Sequence, residues 1–112
     1  MTVEQTNVID IVSLNKPAEA VVLTISDHLD WTNTIEHQTI LQSKFNAYLA
    51  FVESGEILER YPMAKGRRIV FKVVFKFDPD LEGRKFMIRA REVIQSVGFD
   101  LQYELFTATD KN

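Results

Sequence analysis

The sequence contains no cysteine, only four glycines and three prolines, and a single tryptophan. Without thiols there is no disulfide framework and no thiolate metal site, and the composition fits a reducing compartment. The few glycines form neither GxGxxG nor GxxxxGK[ST], so no phosphate-cradling loop is written in the chain. GxSxG is also missing, so no nucleophile elbow is present. No apolar run approaches the roughly 18 residues of a membrane span. MTVEQTNVID lacks the basic-then-apolar form of a signal peptide. A net charge of −3 does not give the broadly basic surface that nucleic acid or anionic membrane calls for. These absences lead to the expectation of a cytoplasmic protein of bacterial type, with no membrane association, no cofactor and no nucleic-acid role.

What is present is ordinary globular material: 46% hydrophobic and 26% charged residues, with eight Phe and three Tyr as bulky core stock. A chain of 112 residues suits one domain, taken as residues 1–112 with an ordered part of about 7–108.

Val8-Ile9-Asp10-Ile11-Val12 is rich in β-branched residues and reads as a strand. Asn15-Lys16-Pro17-Ala18 is a turn, and Ala20 to Ile25 forms a second strand, antiparallel to the first. A helix follows from about Thr34 to Ser54. Asn33 is placed to cap it, Glu36 three residues on completes a capping box, and Gly55 closes it. Its apolar stripe is Ile40, Leu41, Phe45, Tyr48, Leu49 and Val52. Arg68 to Phe77 is the strongest strand, with Ile69, Phe71, Val73, Phe75 and Phe77 on one face and Val70, Lys72, Val74 and Lys76 on the other. Asp78-Pro79-Asp80 breaks it and caps a helix over Leu81–Val97, whose stripe is Phe86, Ala90, Val93, Ile94 and Val97. Gly98 ends that helix, and Leu101 to Thr107 is the last strand.

The order β-β-α-β-α-β implies an α+β two-layer sandwich on a four-stranded mixed sheet. Right-handed crossovers that step the same way place both helices on one face. The other face then carries Val8, Val12, Val22, Val70, Val74 and Phe106 among Lys72, Lys76, Gln102 and Glu104. That apolar share points to a partner, most simply a second copy.

Chemistry concentrates in DHLDWTNTIEH, residues 27–37, which holds both histidines and the tryptophan. Asp27, His28, Asp30 and His37 are ligand types for zinc, but neither HExxH nor HxH spacing is present. A histidine between carboxylates suits acid-base work. The plainer reading is a strand-to-helix junction, with Asp30 beside the helix dipole and Trp31 packed ahead of the cap. The free N–H groups of a helix start also attract small polar ligands, so His28, Asp30, Trp31 and His37 are the candidate ligand-binding residues. Lys44 joins them, because it lies two turns beyond His37 in a His37–Lys44–Tyr48 row. No residue set is assigned to a metal. The run Lys65, Arg67, Arg68, Lys72 and Lys76 has the composition of a phosphate or RNA contact, yet alternating lysines also mark a solvated sheet face.

Val8-Ile9-Asp10, Asp27 to Trp31, Glu36-His37, Leu41-Gln42, Lys44, Asn46 to Leu49, Phe51, Glu53 to Glu56 and Tyr61 to Arg67 carry a pattern across nearly the whole chain. It can be written DHLDW…EH…LQxKxNAYLxFxESGE…YPxAKGR. In it the chain resembles a family of small uncharacterised bacterial proteins with a domain of unknown function. The resemblance implies that residues 27–67 belong to one unit and brings no activity, cofactor or catalytic residue. Two functions are therefore carried forward. One is a protein-interaction module, homodimeric through the open sheet face or an edge strand. The other is a small-ligand-binding protein or metal-assisted enzyme built on residues 27–37.

Overall fold

The computed structural model describes residues 11–17 and 19–106. Strands β1 (Ile11–Asn15) and β2 (Ala20–Asp27) come first, then helices α1 (Thr34–Glu53) and α2 (Glu56–Arg60). After a 3₁₀ turn at Pro62–Ala64 come β3 (Arg68–Phe75), α3 (Leu81–Ser96) and β4 (Asp100–Leu105). The sheet order is β1-β2-β3-β4, antiparallel for the first pair and parallel for the other two. The fold is α+β on a four-stranded mixed sheet. Its parallel pairs need the long crossovers that α1 and α3 supply.

Local chemistry sets the helix ends. The Glu36 N–H donates to Asn33 Oδ1 at 3.1 Å, and the Asn33 side-chain amide returns a bond to Glu36 Oε1 at 3.2 Å. Gly55 follows the α1 cap at φ 87°, a conformation that costs a residue with a Cβ about 1–2 kcal/mol. Asp80 Oδ1 accepts the Gly83 N–H at 2.7 Å to start α3.

One parity of the sheet supplies the core: Val21, Leu23, Ile25, Ile69, Phe71, Val73, Phe75 and Leu101 cluster with Leu41, Phe45 and Tyr48 of α1 and Phe86, Met87 and Ile94 of α3. Phe45 and Phe86 stack at 6.2 Å between the helices, and Tyr48 stands edge-on to Phe71 at 5.8 Å.

Several expectations are corrected. The hairpin pairs Val12 with Leu23, so Val12 packs against the core instead of the opposite face. The turn between Asn15 and Ala20 fixes that register, and a strand's side chains change face with each one-residue slip. Val8 lies outside the described residues. Val70 is only 3% exposed, so the face opposite the helices is not open there. β3 stops at Phe75, and Phe77 is exposed beyond it. On α3, Met87 is buried while Val93 and Val97 are exposed, and Leu49 of α1 is only partly buried.

Candidate functional site

β2 runs two residues past Ile25, and this places the first element of the junction. Asp27 shares the parity of Val21, Leu23 and Ile25, so its side chain enters the helix layer and is 2% exposed. His37, one turn into α1, is equally buried and meets it, with Nε2 and Oδ2 2.5 Å apart. Asp27 Oδ1 accepts the Leu29 N–H at 3.0 Å and tightens the exit from the strand. The other imidazole nitrogen, Nδ1, lies 3.0 Å from the Asp30 carbonyl oxygen. A carbonyl only accepts, so Nδ1 carries a hydrogen and donates it. One further proton is shared between Nε2 and the Asp27 carboxylate. Both ring nitrogens are thereby used.

Trp31 seals this pair. Its ring stacks on His37 with centroids 3.7 Å apart and 23° between planes. Its indole Nε1–H donates to the Phe77 carbonyl at 3.1 Å. Gly83 of α3 lies against the six-membered ring so closely that a Cβ there would stand 2.7 Å from it. The Thr34 hydroxyl donates to Asp80 Oδ1 at 3.3 Å, linking the two helix starts. The junction thus binds the ends of β2 and β3 to the beginnings of α1 and α3.

Of the anticipated site residues, His28, Asp30 and His37 line one cavity of about 320 Å³, together with Asn33, Glu36 and Phe77, and Trp31 adjoins it through His37. Lys44 does not join them. It is fully buried farther along α1, its Nζ 5.4 Å from the Tyr48 ring centroid, and the Tyr48 hydroxyl donates to the Thr24 carbonyl at 3.3 Å. The His37–Lys44–Tyr48 row is a buried stripe facing the sheet. Asp27 as the partner of His37, the Phe77 carbonyl and Gly83 were not anticipated. Asp27's continuation of the buried β2 parity was the available signal for the first.

The chemistry open to this arrangement is narrow. With both nitrogens engaged, His37 offers no lone pair to a metal and no free base to a substrate. Among the described residues no group of three or more His, Asp or Glu side chains is placed to hold a metal ion. The basic run is dispersed: Lys72 pairs with Glu104 at 3.3 Å, and the Arg67 guanidinium donates to the Met63 carbonyl at 2.6 Å.

A second surface lies at β4. This strand pairs only with β3 among the described residues. Tyr103, Leu105 and Phe106 are 46%, 44% and 57% exposed, and Ile88 of α3 beside them is 60% exposed. A groove of about 440 Å³ runs between α3 and β4, lined by Met87, Ile88, Arg91, Leu101, Gln102 and Tyr103. At its head Asp100 is held below its ordinary carboxyl range. Burial alone would raise it, but hydrogen bonds from the Gln95 amide and the Leu101 N–H, with the Arg91 charge, outweigh that.

These features define a small α+β domain with a buried Asp27–His37 pair at one end of its parallel strands and, among the described residues, an edge strand that leaves Tyr103 and Leu105 partly exposed. The chain belongs to DUF6572, a family of unknown function, whose family model matches residues 1–107. No curated protein and no solved structure matches the chain. No helix among the described residues is long and apolar enough to cross a membrane.

Proposed function

We propose that this chain is a protein-interaction module that works by strand addition at β4. The observation that carries this reading is the exposure of Tyr103, Leu105 and Phe106 on a strand whose outer edge has no partner among the described residues. Natural edge strands are usually blunted by lysine, proline or a bulge, because free N–H and C=O groups template pairing. β4, DLQYEL, contains no lysine, arginine or proline. An added strand gains main-chain hydrogen bonds from the edge and sends alternate side chains into the groove beside α3. The cysteine-free composition supports a cytoplasmic setting for such a module.

The saturated His37 weighs against the alternative of an enzyme at residues 27–37. The test places a photo-crosslinking residue at Tyr103, and for comparison at Leu58, an exposed apolar position on α2. In native cells, discrete adducts should form from position 103 and not from 58. No adduct from 103, or the same adducts from both positions, would refute the reading.

A further inference from the structure

We propose that the strand added at β4 is β4 of a second copy of this chain, antiparallel about a two-fold axis that passes between the two Tyr103 residues. This inference rests on the strand-addition reading and names its partner.

Charge and shape select both occupant and register. Closed two-fold assembly is the commonest way a chain buries its own surface, and it requires the surface to complement itself. In an antiparallel pair related by a two-fold axis, directly opposed residues point to the same side, so the axis must pass through a residue position. Axes at Gln102 and Tyr103 each keep five of the six β4 residues (Asp100–Leu105) paired within the strand, and an axis at Glu104 keeps three. An axis at Gln102 sets Asp100 against the partner's Glu104, and an axis at Glu104 sets that carboxylate against its own copy. Like charges directly opposed are destabilising. An axis at Tyr103 avoids both. It places Gln102, an amide donor, opposite the partner's Glu104, which already lies 3.3 Å from Lys72 of its own sheet.

On the other side of the sheet the same register sets Leu101 opposite the partner's Leu105. Leu101 is 2% exposed and forms the wall of the α3–β4 groove, while Leu105 is 44% exposed. Each copy's Leu105 therefore enters the groove of the other beside Met87 and Ile88, and the two Tyr103 rings meet at the axis. The result is a continuous eight-stranded sheet.

The absence of native cysteine makes the register directly readable. Opposed antiparallel residues have Cα atoms about 4.5–5.5 Å apart, within disulfide reach, whereas two copies of a residue adjacent to the axis are roughly 8 Å apart and outside it. Under mild oxidation of the full chain, Tyr103→Cys should form a covalent dimer. Gln102→Cys and Glu104→Cys should not form one alone, but should when mixed. Sedimentation of the unaltered chain should show a dimer in the micromolar range, and Tyr103→Lys should weaken it by about thirtyfold or more if Tyr103 is a central anchor. A monomer at every concentration overturns the inference, as does self-crosslinking of Gln102→Cys or Glu104→Cys as fast as that of Tyr103→Cys. If the photo-crosslinker at position 103 captures only other proteins, the second copy is refuted while strand addition stands. If it captures nothing, both fall.

Discussion

Replacing Gly83 by alanine should destabilise the protein, although the same change inside most helices has the opposite effect. Glycine in a helix is about 0.5–1 kcal/mol worse than alanine, because the unfolded chain loses more freedom on folding. At position 83 the added methyl would stand 2.7 Å and 2.8 Å from two carbons of the Trp31 ring. Trp31 cannot swing aside cheaply, since its Nε1–H is bonded to the Phe77 carbonyl and its face lies on His37. Overpacking of this kind costs about 1–3 kcal/mol. Subtracting the propensity gain leaves a net loss centred on roughly 1.3 kcal/mol and reaching about 2.5 kcal/mol, or about 5 °C in melting temperature at the centre for a domain of this size. Thermal and urea unfolding followed by far-ultraviolet circular dichroism would read it in every variant, with or without the single tryptophan. The second arm of the test is Trp31→Ala, in which the clash is gone and Gly83→Ala should become neutral or stabilising. A Gly83→Ala protein as stable as the parent, or a loss that persists without Trp31, would refute the packing argument.

Asp27→Ala should cost about 3–5 kcal/mol in chemical denaturation, because it strands the buried His37 nitrogen without its partner; a loss under 1 kcal/mol would mean that water reaches the pair. Phe75→Ala should cost about 3–5 kcal/mol, since Phe75 is fully buried on β3 between Trp31 and Tyr103; an unchanged melting temperature would contradict the face assignment. Asp100, whose folded carboxyl is held below its ordinary value of 3.8, contributes stability above that value and loses it as the pH falls through the lower folded one. The stability difference between the parent and Asp100→Asn should therefore be constant near neutrality and shrink below about pH 3.8; a difference that grows with acid would show the shift has the opposite sign.

Much of the fold is legible because local signals agree with the tertiary outcome. Asn33 and Glu36 start α1, Gly55 follows its end, Asp80 starts α3, and the alternation in β3 marks Phe71, Val73 and Phe75 as core. Illegible features depend on contacts between distant segments. On α3, Phe86, Ala90 and Ile94 fit a stripe widened by Val93 and Val97 or one widened by Met87. Only the angle at which the helix meets the sheet chooses the second. Val12 changes face through the length of a turn. The Asp27–His37 pair requires β2 to continue to Asp27 beside Phe75 of β3, a pairing between chain segments far apart in sequence. The concentration of polar side chains at residues 27–37 is legible in the sequence. The burial of Asp27 and His37 within that stretch depends on the packing of α1 against the sheet, which no local pattern encodes. The β4 edge gave a weaker signal, because the same alternating pattern serves a covered strand and an uncovered one.

The most direct test of where this protein meets others is amide hydrogen exchange measured as a function of its own concentration. Strand addition between copies predicts that residues 100–106 gain protection as concentration rises, while residues 27–37, already closed by internal bonds, keep the same exchange throughout. Unchanged exchange at 100–106, or protection that grows at 27–37 instead, would contradict the account.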